Sequence, residues 1–208
     1  AFGASLNLLT ESISQEANAE INSSFGSFNT FKNNVKFSTG LMGDHVELAG
    51  RLSVITSDGY IDRASSDLKS YFLQAAYKDD HTLIKALTFG GHEITYQAWY
   101  GIDAETLMTD RTFNVAGLYT DEQGNTQFYD NEVDNYQQDH FQVHWTEKLN
   151  NYWSTNIGLN YTKGKGYFEQ YREDESFADY GMDPIEIGNE TIETTDLIRR
   201  RWLDNDFY

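Results

Sequence analysis

His140 and His144 stand four positions apart, the spacing at which two histidines on one helix face chelate zinc. Their neighbourhood argues for a strand instead. Phe141, Val143 and Trp145 alternate with His140, Gln142, His144 and Thr146, and side chains four apart on a strand lie ~13–14 Å from each other. That is too far for one ion. Asp130, Glu132 and Asp134 also alternate, without the glycine-bearing turn that gathers oxygens around calcium. Lys163-Gly164-Lys165-Gly166 has the composition of a phosphate loop. No helix pattern follows to supply N-terminal amides, so the run is expected to be the flexible end of a strand. Carboxylates abound, but none can be paired at glycosidase separation, and no nucleophile–base set stands out. The chain is not expected to be an enzyme, and neither a metal nor a cofactor is expected.

One group remains as a candidate site. Between Tyr96 and Asn135 the chain carries Trp99, Tyr100, Tyr119 and Tyr129 with a single base, Arg111. A guanidinium matches carboxylates bidentately, and aromatic rings can line a ligand mouth. The plainer alternative is a loop folded on its own aromatics, since a long ordered loop needs such a core.

The elements that would hold this loop are strands. Phe31, Asn33, Val35, Phe37, Thr39 and Leu41 alternate with Lys32, Asn34, Lys36 and Ser38. Val46, Leu48, Gly50, Leu52 and Val54 alternate with Glu47, Arg51 and Ser53. Period 2 marks a sheet with one apolar and one polar side, and Gly43-Asp44 between the runs suits a two-residue hairpin turn. Further strands are expected over 17–26, 67–78, 81–95, 136–148 and 152–163, with another beginning at Arg199. The strand at 81–95 has partly apolar faces on both sides, and its Gly90-Gly91 marks a bulge or a close backbone approach. Residues 3–10 read as a short strand as well. Strands of this length exceed the usual ~5–6 residues and suggest either a large β-sandwich or a membrane barrel.

Connections alternate in length. Those at 43–44, 79–80 and 149–151 are short, and those at 57–66, 96–135 and 167–198 are long. Within the second long one, Asp121 to Asn125 between Leu118-Tyr119 and Phe128-Tyr129 reads as a small hairpin. The net charge of −18 is concentrated: the stretches 96–135 and 167–198 carry all but −2 of it. Such a balance argues against a nucleic-acid partner. The acids read either as solvated loop surface or as a surface for cations and divalent-bridged lipopolysaccharide. There is no cysteine, hence no disulfide framework, and no run of ~18 apolar residues that could form a transmembrane helix. The chain opens Ala1-Phe2-Gly3-Ala4 without Met, so a processed or partial piece is expected. A meander with short turns at one end and long loops at the other is the pattern of an outer-membrane barrel, and Tyr77, Trp145 and Trp153 beside the short turns suit an interfacial girdle.

Several stretches carry a family resemblance: Gly3-Ala4-Ser5-Leu6-Asn7-Leu8, Gly26-Ser27-Phe28-Asn29-Thr30, Ser57-Asp58-Gly59-Tyr60-Ile61-Asp62-Arg63, and Trp202-Leu203-Asp204-Asn205-Asp206-Phe207-Tyr208. With them the chain resembles the N-terminal part of the β-barrel of a TonB-dependent outer-membrane receptor of the Bacteroides-like kind. The resemblance implies an all-β, antiparallel up-and-down meander, a partial segment of a large transmembrane β-barrel with long loops at one end. Residues 1–10 would end the plug domain, and 17–208 would form the first barrel strands. It implies TonB-energised uptake of a scarce ligand, such as a ferric siderophore, haem, cobalamin or a glycan. TonB would be met through a segment further N-terminal, and outer-membrane lipid would surround the strands. The family shares no catalytic residues. The rival expectation is an exported, soluble, lectin-like all-β binding module.

Overall fold

The computed structural model describes residues 12–208. Its strands are β1 (Asn18–Gly26), β2 (Thr30–Ser38), β3 (Val46–Ser57), β4 (Ser66–Lys78) and β5 (Thr82–Tyr96), then a short helix α1 (Ala104–Thr109). There follow β6 (Leu118–Thr120), β7 (Thr126–Phe128), β8 (Val133–Lys148), β9 (Ser154–Ser176), β10 (Ile185–Ile187), β11 (Glu190–Ile192) and β12 (Thr194–Phe207). Eight of them form one antiparallel sheet in the order β1-β2-β3-β4-β5-β8-β9-β12. β6–β7 and β10–β11 are separate two-stranded hairpins. The all-β up-and-down meander is as the alternation predicts. Among the described residues the sheet is open, with β1 and β12 at its edges. The strand over 3–10 and the plug end over 1–10 fall outside the described residues.

Register fixes the two faces. Ile21↔Val35, Val35↔Leu52 and Leu52↔Tyr71 are directly paired, so they project to one side. The same alternation places Leu73, Ile84, Val143, Trp145, Ile157 and Leu159 on that side. It also orients β5, whose Ile84, Ala86 and Thr88 belong to this face while Lys85, Leu87 and Phe89 belong to the other. Large apolar side chains here stay open: Ile21 is 72%, Leu52 57% and Leu159 66% exposed. No second sheet among the described residues covers them. The opposite face carries Lys32, Lys36, Arg51, Gln74, His140 and Thr162.

The apolar face forms a charge-free band whose loop-end boundary crosses the strands obliquely, while its short-turn end follows the row Val46, Tyr77, Ile84, Trp145 and Ile157. In β1 and β2 it reaches Phe25 and Phe31, which pair with each other. The cross-strand row from that pair runs through Thr56, Asp67, Ile94 and Asn135 to Tyr167 of β9. On β9, however, the band stops at Tyr161, because Lys163 and Lys165 follow on the same face. The boundary therefore slips from Tyr167 to Tyr161, six residues, across the six strand-to-strand steps from β1 to β9.

The short connections gather at one end of the sheet. Gly43 and Asp44 have φ of 57° and 64°, and the His45 amide donates to the Met42 carbonyl at 3.2 Å, as a two-residue turn with two positive φ angles requires. Asp79 caps the next turn, its carboxylate accepting from the His81 and Thr82 amides at 2.8 Å each. Asn150 does the same for Tyr152 and Trp153. The long connections, 58–65, 97–132 and 177–193, lie at the other end, together with the tight 27–29 turn.

Several expectations are corrected. Lys163-Gly164-Lys165-Gly166 is the middle of β9, not its end: a Cβ on Gly164 would meet the Tyr136 hydroxyl at 1.9 Å, and one on Gly166 the Asn135 carbonyl at 2.2 Å. The glycines make room for a cross-strand ring. The second acidic stretch is largely strand, since β9 runs on to Ser176 and β12 starts at Thr194, five residues before Arg199. Gly90-Gly91 makes no bulge. Its register with β4 is unbroken, and the close approach is real, with the Gln138 carbonyl 2.4 Å from where a Gly90 Cβ would be.

Candidate functional site

The loop end is built by three segments that lock together. The 27–29 turn and the 58–65 loop meet first. Asn29 donates to the Asp58 carboxylate at 2.5 Å, the Asp58 amide donates to the Phe28 carbonyl at 2.9 Å, and Phe28 and Tyr60 pack edge to face at 5.6 Å. Contacts of this kind hold Phe28 and Asn29 at positive φ, 58° and 51°, which an aromatic residue adopts only under constraint. The 58–65 loop then grips the 97–132 loop. The Asp62 amide donates to the Thr112 carbonyl at 2.8 Å. Arg63, itself at φ 60°, donates to the carbonyls of Asn114 and, at 3.5 Å, Ala116. Its guanidinium covers the Phe128 ring at 3.8 Å.

Around this clasp Ala116 of the 97–132 loop is buried against the strand ends that bear it, in a core with Tyr96 of β5 and Val133 of β8 and with Ile94 packed alongside. The Tyr96 hydroxyl donates to the Tyr129 carbonyl at 2.6 Å. Burial raises the Tyr96 pKa, against the opposing pull of Arg63. The expected hairpin is present as β6–β7, with Asp121 accepting from the Gln123 and Asn125 amides. Its helix α1 was not legible as a pattern. Asp103 caps it by accepting from the Thr106 amide at 2.8 Å, and the helix spans only six residues.

The structure divides the five predicted site residues. Tyr119 and Tyr129 lie together, both against Tyr171 of β9 at 4.5 and 5.9 Å. Tyr129 also donates to Glu169 at 2.5 Å. Glu169 is 1% exposed and further accepts from Asn131 at 2.6 Å and from Arg200. Burial, and then the carboxylate beside it, push the Tyr129 phenol up to about 12. Trp99 and Tyr100 lie elsewhere. Both are exposed, and the Tyr100 hydroxyl accepts from Gln170 at 3.1 Å. On β9, Glu169 and Tyr171 point to the apolar-face side and Gln170 to the polar-face side. The two pairs therefore stand on opposite sides of the sheet. Arg111 joins neither. It is exposed, so the arginine that packs on the loop's aromatic rings is a different one. Arg63 occupies that role, and its place within Ser57–Arg63 was the available signal.

The histidine pair is used differently by each member. His140 stacks on Phe89 at 4.6 Å and bonds Thr162, whereas His144 contacts Gln142 at 3.1 Å. Asp130 is exposed and Glu132 buried. Burial raises the Glu132 pKa.

On the polar face at the loop end, Gln97 donates to the Glu169 backbone carbonyl at 3.0 Å, Gln170 donates to Tyr100, and Arg199 donates to the Gln170 side-chain Oε1 at 2.6 Å. This set draws on the long loop, β9 and β12 together. It offers amide and guanidinium donors beside two exposed rings, which suits binding and provides no proton-transfer pair. No family model, curated protein or solved structure matches the chain.

Proposed function

We propose that this chain is the N-terminal part of the barrel of a TonB-dependent outer-membrane receptor, which takes up a scarce small ligand with energy delivered through TonB. The observation that carries the reading is the charge-free apolar band with its oblique loop-end boundary. A slip of one residue per strand, at ~3.3 Å per residue and ~4.8 Å between strands, corresponds to a strand tilt of roughly 35°. That is the tilt a closed barrel adopts. Along β3 the band runs from Val46 to Val54, ~27 Å of strand. Tilted as above, it projects to about 22 Å, close to the ~25 Å apolar belt of such barrels.

Three further observations support it. The long connections share one end, as surface loops do. Tyr77, Trp145 and the exposed Trp153 lie at the short-turn end, where an interfacial girdle belongs. The segment before β1 runs along the polar face. There the Ser14 amide donates at 2.9 Å to Glu47, a carboxylate also bonded by Ser38 and Gln74. A plug preceding the barrel would lie on that side. A soluble sandwich would need a second sheet over the apolar face.

The test uses the natural full-length chain in vesicles containing brominated phospholipid. Quenching of Trp145 is expected, with co-purification on immobilised TonB periplasmic domain. A monomer that stays soluble without detergent and shows no lipid quenching would overturn the reading.

A further inference from the structure

On the apolar face the middle of the sheet is hollowed along β5. Ala86, Thr88 and Gly90 follow one another there, beside Ala75, Leu73 and Tyr71 of β4 and Val143, Phe141 and Asp139 of β8. The small residues make the floor of an apolar furrow, and Leu73, Phe141 and Val143 stand along its sides. Both flanking strands have their own neighbours in place, so the furrow lies away from the open edges of the sheet, and Ala75 and Ala86 at its floor stay exposed. At Gly90 a polar bridge crosses it. The Tyr71 hydroxyl donates to the Asp139 carboxylate at 2.8 Å, over a glycine whose Cβ would meet that carboxylate at 2.5 Å. Just past the bridge, toward the loop end, lies a second hollow, lined by Lys69, His92, Gln137 and Asp139.

An apolar furrow that runs into a charged hollow has the form of a lipid site, with an acyl chain in the one and a head group in the other. The charges decide which head group. Lys69 is tied to Asp67 at 3.1 Å, but both side chains are well exposed, so the tie is weak. Asp139 accepts from Tyr71 and Gln137 and faces Lys163 of β9 without an ion pair between them. Lys163 stands in turn opposite Asp206 of β12, and Lys165 opposite Asp204. This border therefore carries both signs in nearly equal number, which disfavours a purely anionic head group and suits one that bears both charges. Lys69 and Asp139 are two strands and two residues apart, ~12 Å at the backbone, and both line the hollow. From its two sides they offer a cation to a phosphate and an acceptor to the N–H donors of a primary ammonium. We infer that β4, β5 and β8 form a site for a phosphatidylethanolamine-type phospholipid, with its phosphate at Lys69, its ammonium at Asp139 and an acyl chain in the furrow. The inference rests on the reading of the apolar face as lipid-facing, and it names the lipid that this face selects.

The test is native mass spectrometry of the natural full-length chain, released from detergent after incubation with equimolar phosphatidylethanolamine and phosphatidylglycerol of the same acyl chains. Retention of phosphatidylethanolamine is expected, favoured at least about fivefold, the scale of an exposed charge pair. Asp139→Asn, which keeps an oxygen for Tyr71, should erase the preference. Lys69→Gln should weaken both lipids alike, and so should Ala86→Phe, which fills the floor of the furrow. Arg51→Gln, on the polar face, should change nothing. An unchanged far-ultraviolet spectrum shows that the variants fold. Equal retention of the two lipids by the natural chain, or a preference that survives Asp139→Asn, overturns the inference. The lipid-quenching experiment is independent. A chain that is quenched by brominated lipid but shows no head-group preference loses this site alone. A chain that retains phosphatidylethanolamine through Lys69 and Asp139 without lipid quenching keeps the site and loses the transport reading.

Discussion

The guanidinium of Arg63 lies 3.8 Å from the centre of the Phe128 ring, although 65 positions separate the two residues. Arg63 also satisfies the Asn114 and Ala116 carbonyls, so one side chain ties the 58–65 loop to both halves of the 97–132 loop. A partly desolvated cation–π contact is worth ~1–2 kcal/mol, and each hydrogen bond ~1. Arg63→Ala is expected to lower the local opening free energy of residues 112–129 by about 2–3 kcal/mol, read by hydrogen exchange. Arg63→Lys should recover less than half, because an ammonium cannot cover the ring and reach two carbonyls at once. Unchanged exchange in Arg63→Ala would remove the clasp.

Tyr129 and Glu169 give the loop end a pH dependence at the alkaline side. The phenol donates to the carboxylate, so ionising it puts two negative charges together. Its folded pKa, about 12, is raised above the ordinary ~10. A raised pKa means that the stabilisation is fully present below pH ~10 and is lost as the pH climbs through about 12. Late-titrating tyrosinate absorbance should fall by one group in Tyr129→Phe. That variant should lose about 1–2 kcal/mol at neutral pH and show a flatter alkaline stability curve.

Much of the sheet was legible because one-sided burial imposes period 2 on the sequence. The faces of β2, β3, β4 and β8 follow directly from it. Two of the four stretches that carry the family resemblance, 26–30 and 57–63, meet in space through Asn29–Asp58 and Phe28–Tyr60. What failed was whatever depends on a partner far along the chain. Arg111 looked like the arginine of the loop because it is the only base within it. Arg63 enters from outside, and no local pattern announces that. Tyr119 and Tyr129 were grouped with Trp99 and Tyr100 by proximity in sequence. The sheet separates them, since Glu169 and Gln170 are adjacent in β9 and point to opposite sides. The helix α1 is too short for an amphipathic period, and only its Asp103 cap could have been seen.

Leu52 and Arg51 are neighbours with opposite fates. Leu52 is 57% exposed in the middle of the apolar band, and Arg51 projects to the polar face. In a water-soluble protein Leu52→Lys would be close to neutral. In a membrane barrel it should cost ~2–4 kcal/mol, seen as a lower denaturant midpoint in lipid vesicles and as poor assembly in the outer membrane. Arg51→Leu, on the other face, should cost well under half of that. Equal effects of the two substitutions would mean that lipid does not distinguish the faces.

Gly164 and Tyr136 are coupled across β8 and β9. Tyr136 pairs with Gly166, and its ring reaches diagonally to Gly164, where a Cβ would meet the ring carbon bearing the hydroxyl at 2.8 Å and the hydroxyl itself at 1.9 Å. The ring thus covers backbone that the two glycines leave bare, and its hydroxyl accepts from Asn205 of β12 at 3.2 Å. Gly164→Ala must push the ring off this seat, at a cost of ~1–3 kcal/mol for overpacking. Tyr136→Ala should also destabilise, by exposing the glycine backbone and freeing Asn205. Once the ring is gone, however, the added methyl has no neighbour closer than 3.6 Å. The double variant Gly164→Ala/Tyr136→Ala should therefore be no less stable than Tyr136→Ala alone, with a coupling of at least about 1 kcal/mol in a double-mutant cycle. Tyr136→Phe should relieve little, because the ring carbon still blocks the site. Strict additivity would show that the glycines serve flexibility after all.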